Sequence, residues 1–238
     1  MKKFPILILS LLGLVACNPP ESTFYYENLY GFGEVSGTQI RIEATGATLK
    51  VTEDQTDSKW MHEQTIFFLC DLLGMPVQGA YETRLKMYEP VTRRAVLAKS
   101  TADPTVYGTD AACFYQDWGS YPAKHLLDVA CLVTSLKNSE TPHTVDLVWD
   151  DTRSNADTLF LELHHQGQGE SFENTDYDTK DFQVDTHYLR FDLSRAIPSD
   201  ADESIIISLE WDWFETEDNN LLRDKPRHYQ VFGTFELE

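Results

Sequence analysis

Ile205, Ile207, Leu209, Trp211 and Trp213 alternate with Ile206, Ser208, Glu210 and Asp212. A period of two puts the first set on one face of an extended chain, so residues 203–214 predict a strand with one buried side. Residues 143–149 and 157–163 carry the same kind of pattern, and these three runs organise the second half of the chain. Residues 126–134 are apolar except for Asp128, which breaks the run. Residues 187–193 set Leu189, Phe191 and Leu193 together, and residues 227–236 turn Tyr229, Val231 and Phe235 inward. The joins at 150–157, 170–181 and 198–203 are acidic and rich in turn formers. Short strands with such joins and no long amphipathic helix predict a β-sandwich over residues 121–238.

The first half shows the period of two in shorter pieces. Strand-like runs occupy 33–43, 47–52, 65–72, 81–88 and 94–99. Ile40 and Ile42 alternate with Gln39 and Arg41, and Leu49 and Val51 alternate with Thr48 and Lys50. Five short strands without a helix predict a small OB-like β-barrel over residues 30–99. Residues 53–64 are polar and read as a loop or a single helical turn. Residues 100–120 form a joining segment, in which Trp118 is expected to pack at the interface between the two modules. The fold class is therefore all-β, a small OB-like barrel followed by a β-sandwich.

The first residues follow a different logic. Lys2 and Lys3 precede a short apolar run that ends in Leu14-Val15-Ala16-Cys17. The run is too short to span a bilayer as a mature helix. The pattern matches a lipoprotein signal peptide over 1–16, with cleavage before Cys17 and lipid attached to its sulfur. Residues 17–29 then read as a lipidated tether, stiffened by Pro19 and Pro20. Cleavage would remove two of the positive charges.

Charge narrows the partners. Lys and Arg total 19 against 39 Asp and Glu, a net charge of −20. Nucleic acid binding needs a basic footprint that releases counterions, so it is excluded as a function class. An OB-like groove would draw on Arg84, Lys86, Arg93, Arg94 and Lys99 with Tyr81 and Tyr88, but Arg84 and Lys86 share an alternating face with Glu82, as on a solvated strand exterior. Cationic partners are favoured. Besides Cys17 the chain has Cys70, Cys113 and Cys131. Cys70 lies in an apolar run and reads as a small hydrophobe, which leaves Cys113 and Cys131 as the candidate disulfide.

Catalytic and metal chemistry finds little support. His164 and His165 are adjacent in a strand and point to opposite faces, His165 inward and His164 to solvent, so one metal cannot take both. Asp146, Asp150, Asp151, Asn155 and Asp157 offer oxygen ligands for calcium but lack the ordered spacing and glycine of a calcium loop. Cys113 and His125 could in principle meet as nucleophile and base, but no third group is suggested to orient them. No Gly-x-Ser-x-Gly elbow, phosphate-binding loop or dinucleotide fingerprint occurs. No cofactor is expected. A hydrolase of an envelope polymer would need two opposed carboxylates in a cleft, and with this many acids pairing in the sequence carries no weight.

Several motifs in order resemble the NigD-like lipoproteins of the Bacteroidetes. They are Cys17, Gly33-Glu-Val35, Gly46-Ala-Thr-Leu-Lys-Val51, His143-Thr-Val-Asp-Leu-Val148, Leu159-Phe-Leu-Glu-Leu-His-His165, Tyr188-Leu-Arg-Phe-Asp-Leu-Ser194 and the run from Ile205 to Trp211. The resemblance implies an OB-like domain followed by a β-sandwich. It implies no catalytic residues, and through the family's bacteriocin-associated naming it implies an immunity role. The polar insert at 53–64 departs from the tightest form of the family barrel. In that bacterial group an acidic run after Cys17 resembles a surface-export signal; none is present here, which favours the periplasmic side of the outer membrane. The expectation is thus a non-enzymatic envelope lipoprotein that binds an unidentified envelope protein, peptide or glycan.

Overall fold

The alternating runs form strands throughout the computed structural model, which describes residues 26–42, 45–108, 110–114, 119–121, 125–136, 141–167, 182–201, 203–217 and 220–237. Cys17 and Trp118 lie outside the described residues. The first sheet contains β1 (Tyr26–Ser36), β2 (Gln39–Ile42), β3 (Ala47–Asp54), β4 (Thr65–Leu72) and β5 (Ala80–Pro90). It closes on itself in the order β1-β2-β3-β5-β4, with β3 and β5 parallel. This is the Greek-key path of an OB-type barrel. The run at 33–43 is two strands, because Gly37 takes a positive φ of 61° and turns the chain between them.

Alternation fills the barrel. Ile66, Phe68, Cys70 and Leu72 of β4 point inward beside Ile40, Leu49 and Leu85. Gly33 lies where any Cβ would overlap the Cγ2 of Ile40 and stand 3.3 Å from the ring of Phe68. A larger residue there would have to displace a packed core. The insert at 53–64 ends in a 3-10 turn, Lys59–His62, whose Trp60 is only 1% exposed and plugs the barrel. Its indole N–H donates to Asp54 Oδ2 at 2.8 Å, and the same carboxylate also accepts from Thr56 and Ser58. The departure from the tight barrel is therefore a hydrophobic stopper carried on a polar loop.

Residues 94–99 do not complete the barrel. β6 (Thr92–Ala95) pairs in parallel with β13 (Phe182–Asp192), and β7 (Leu97–Ala98) pairs in parallel with β11 (Thr144–Trp149). One short stretch thus forms an edge of both sandwich sheets. The first of those sheets runs β6-β13-β10-β8, with β8 at Ala112–Phe114, β10 at Leu126–Leu136, and β9 (Gly119–Tyr121) also on β10. The second runs β15-β14-β12-β11-β7, with β12 at Thr158–Gln166, β14 at Ser204–Glu217 and β15 at Asn220–Glu236. Their inward positions form one core that includes Leu127, Val129, Leu147, Leu161, Phe191, Ile207 and Leu209. The predicted inward face of β14 is the observed one.

Barrel and sandwich meet on the outer side of the first sandwich sheet. Phe32 and Phe67 of the barrel pack against Leu126, Ala130 and Tyr188, with the rings of Phe67 and Tyr188 stacked at 4.3 Å. Arg190 sits at the centre of this joint. Its guanidinium grips Asp128 through two bonds of 2.7 and 2.9 Å, and reaches Glu34 and Thr65 of the barrel at 3.2 Å each. Asp128, which interrupts an apolar run in the sequence, is there to hold this arginine.

The candidate disulfide is corrected. Cys70, Cys113 and Cys131 are free thiols. Cys113 is opposite Leu132 while Cys131 is opposite Phe114. Cross-strand partners share a face and successive residues do not, so the two sulfurs lie on opposite sides of the sheet and cannot bond.

Candidate functional site

The second sandwich sheet turns its other face away from the core. Alternation places Phe160, Glu162 and His164 of β12, Ser208, Glu210 and Asp212 of β14, and His228 and Gln230 of β15 there. Register then sets Glu162 directly beside Glu210, and Glu210 beside Gln230. Two like charges abreast repel unless each is countered. Lys99 bonds Glu162 at 2.6 Å and Asp150 at 3.2 Å. Arg153 forks onto Glu210 at 2.8 and 3.1 Å and lies 4.2 Å over the ring of Phe160. Gln230 donates to both Glu210 and Ser208, at 2.7 and 2.8 Å. Both cations come from loops outside the strands, Lys99 after β7 and Arg153 from the β11–β12 turn.

The result is a preset lattice of charge. The Glu162 carboxyl is held below the usual carboxylate range, first by its hydrogen bond to His164 at 3.1 Å and then by Lys99, against the opposing effect of burial. Asp150 is also lowered: burial raises it, but bonds from Thr152 and Lys99 outweigh that. Lys99 and Arg153 are raised, chiefly by Glu162 and by Glu210 respectively. A glycosidase acid needs a raised carboxyl that holds its proton near neutral pH. Glu162 is shifted the other way, so it is not suited to be that acid. Beside the lattice stand two exposed apolar side chains, Ile206 at 44% and Phe232 at 60%. Arginine, aromatic and aliphatic groups around a fixed polar array are what protein-binding surfaces use.

The other sequence candidates fall elsewhere. Arg84 pairs with Glu53, Lys86 with Asp71, Arg93 with Asp192 and Arg94 with Asp146. With Lys99 already on the lattice, each of the five bases answers a carboxylate of this chain. Asp150 spends its oxygens on Lys99, Thr152 and the Arg153 backbone, and Asp151 accepts from Ser100, so the acidic turn works as a cap. Cys113 sits opposite Leu132 while His125 precedes Leu126, so they lie some seven strand positions apart, roughly 23 Å, too far for a dyad.

His165 is fully buried, as its inward position predicts, and its Nε2 lies 2.8 Å from His143 Nδ1. His164 is not simply solvent-facing: it lies under Tyr107 of a short helix, α1 (Pro104–Tyr107), with ring centres 4.7 Å apart. Among the described residues no group of three or more His, Cys, Asp or Glu is placed to hold a metal ion. A groove of about 330 Å³ runs along the joint of the two modules, bordered by Glu34, Glu63, Arg93 and Arg190. The donors of Arg190 on its floor are already engaged by Asp128, Glu34 and Thr65.

The sequence marks Glu210 only as a member of an alternating face and Glu162 only within a longer motif, and it gives no sign of Arg153. The available signal was the shared outward parity of 162 and 210. It lacked the register of two parallel strands, which no local pattern encodes.

No family model matches the chain, and no curated protein matches it. Solved structures do. A candidate lipoprotein of Bacteroides fragilis aligns with 89% of this chain and 99% of its own at 14% identity, with a TM-score of 0.56. A protein of unknown function from Bacteroides vulgatus aligns with 87% of this chain and 90% of its own at 15% identity, with a TM-score of 0.55. A NigD-like immunity protein of Bacteroides caccae aligns with 89% of this chain and 94% of its own at 14% identity, with a TM-score of 0.53. At such identities the likeness is one of fold, and it extends over both modules.

Proposed function

We propose that the chain is a non-enzymatic binding protein of the bacterial envelope, and that it captures a cationic protein or peptide on the outward face of the β7–β15 sheet. The observation that carries this reading is the union, on one face, of exposed Phe232 and Ile206 with the Glu162–Glu210 lattice. A partner would meet charged groups already held in place by one another, so little ordering would be needed on binding. The excess of acids over the whole chain would steer such a partner inward.

The likeness to an immunity protein favours a toxin as the partner, with the chain protecting its own cell. The run Leu14-Val15-Ala16-Cys17 supports attachment through a lipid on Cys17, and the lack of an acidic run after it favours the periplasmic side of the outer membrane. The likeness to a candidate lipoprotein is consistent with that placement. A hydrolase of an envelope polymer is the competing reading, and the lowered Glu162 counts against it.

The test uses cells lacking the gene, complemented with the wild type, with Phe232→Asp or with Ile206→Asp. They are challenged with antibacterial peptides secreted by related strains. The expected result is sensitivity in the deletion strain, rescue by the wild type and loss of rescue by Phe232→Asp, whose melting temperature should match the wild type. Equal survival of every strain would sink the immunity reading. Full rescue by both face variants would remove the face. For the anchor, Cys17→Ser should abolish labelling by a fatty-acid analogue and release the protein from membranes; unchanged labelling would refute it.

A further inference from the structure

Residues 72–81, Leu-Leu-Gly-Met-Pro-Val-Gln-Gly-Ala-Tyr, contain no charged side chain, in a chain of which 24% is charged. They leave β4, turn and enter β5. The turn is tight: Val77 N–H donates to the Ala80 carbonyl at 2.8 Å, and Ala80 N–H returns to the Val77 carbonyl at 3.1 Å. Gln78 and Gly79 both take positive φ, 53° and 82°, the pattern of a type I′ hairpin. Behind it Leu73 N–H is fixed to the Glu82 carbonyl at 2.8 Å. This held tip presents Met75 at 52% exposure and Val77 at 59%. Two apolar side chains thus stand outward side by side on a turn whose backbone is already fixed.

The tip lies at the pole where the chain enters the barrel. Tyr26, the first residue of β1, pairs with Leu72, where the tip departs. Cys17 is nine residues upstream of Tyr26, so full extension allows at most about 30 Å between them. The sandwich docks toward the opposite end of the barrel, through Glu34 and Thr65. Thr65 and Leu72 are seven strand steps apart, about 23 Å. The start of β1 and the apolar tip thus share one pole, and the acidic sandwich lies beyond the other.

We propose that the β4–β5 tip, Met75 to Val77, inserts into the interfacial layer of the phospholipid bilayer that holds the lipid on Cys17. The inference rests on the lipid-anchor reading above. A thioether and a branched aliphatic gain by entering the boundary between headgroups and acyl chains, and the uncharged stretch around them carries no ion to desolvate. The strong negative charge of the rest of the chain keeps other surfaces away from anionic headgroups. One covalent anchor leaves a protein free to tumble on its tether. A second contact at the same pole sets which way it faces.

The test uses the full lipidated protein in phosphatidylcholine vesicles containing brominated lipid. An environment-sensitive fluorophore is placed on Val77→Cys, on Met75→Cys, or on Thr38→Cys in the exposed β1–β2 turn at the far pole. Labelling is selective, because burial pushes the Cys70, Cys113 and Cys131 thiols up to about 12, 11 and 12. The expected result is about threefold stronger bromolipid quenching at positions 75 and 77 than at 38, as for groups seated in the headgroup–acyl boundary. Equal, weak quenching at all three positions, on protein shown to be lipidated and floating with vesicles, overturns the tip contact and leaves the anchor standing. Protein that carries no lipid and does not float overturns both. Probes at 75 and 77 that are shielded from aqueous iodide yet untouched by bromolipid would assign the tip to a second protein surface, and overturn the proposal.

Discussion

Replacing Arg190 with methionine should strike the joint between barrel and sandwich harder than any surface change. The side chains of Arg190 and Asp128 are 3% and 0% exposed, and the guanidinium holds the carboxylate through two bonds below 3 Å. Arg190→Met removes the cation and leaves Asp128 in place with its main counter-charge gone. Breaking one side of a buried pair typically costs about 3–5 kcal/mol. The bonds to Glu34 and Thr65 disappear too, but Glu34 is partly exposed and water can replace its partner, so it adds little. For a chain of this size each kcal/mol moves the melting temperature by roughly 2–4 °C, so the midpoint should fall by about 6–20 °C. Calorimetry on Arg190→Met, Asp128→Leu and the double variant reads it directly. The double variant should recover most of the loss, because an apolar pair of similar volume needs no desolvation of charge. A single variant that melts within about 2 °C of the wild type, or a double variant no better than Arg190→Met, would refute the account of the joint.

Three further outcomes follow from the same structure. Trp60→Ala should destabilise by about 3–5 kcal/mol in urea titration, since the plug is fully buried and its indole also bonds Asp54; a loss below about 1 kcal/mol would show that the 3-10 turn merely covers the barrel mouth. His187 is shifted below its usual 6.5, first by burial and then by His143 and Arg94, against the pull of Asp185. A lowered histidine contributes stability that is present above 6.5 and lost as pH falls, so the melting temperature should drop on acidification below that value and drop less in His187→Gln; parallel curves would refute the assignment. The three thiols, buried at Cys70 and Cys131 and half-buried at Cys113 and all raised, should resist a thiol-reactive disulfide at about pH 8 in the native state and react once the protein is unfolded. A native species linked through Cys113 and Cys131 would refute the placement of those sulfurs on opposite faces.

Patterns that depend on neighbours in sequence were readable in advance. Alternation from Ile205 to Trp213 named the buried face of β14, and residues 65–72 were placed to the residue. The opposed directions of His164 and His165 were readable for the same reason. Residues 94–99 have the local look of a fifth barrel strand, but alternation cannot say which sheet a strand joins, and their partners are β13 and β11. Tyr26 to Leu29 read as tether because the prolines upstream dominate the composition, yet β1 begins there. Arg190 looked like any outward position in Tyr188-Leu-Arg-Phe. Its meaning depends on Asp128, 62 residues earlier, and on Glu34, 156 residues earlier. The lattice around Glu162 and Glu210 is opaque in the same way: two strands, a loop lysine and a turn arginine converge only in space.

The shared strap at 92–98 also governs the order in which the molecule can mature. A chain crossing a membrane amino-terminus first would release the barrel strands early, and these can pair among themselves. β6 and β7 would then wait, their partners on β13 and β11 still unmade. A growing chain would carry an open β7 edge until residues 144–149 arrive and an open β6 edge until residues 182–192 do, the kind of surface that recruits other chains. The same wiring forbids a clean cut between the modules. Severing after residue 99 would strip both sandwich sheets of an edge strand, so an isolated carboxy-terminal half should aggregate where the intact chain stays dispersed.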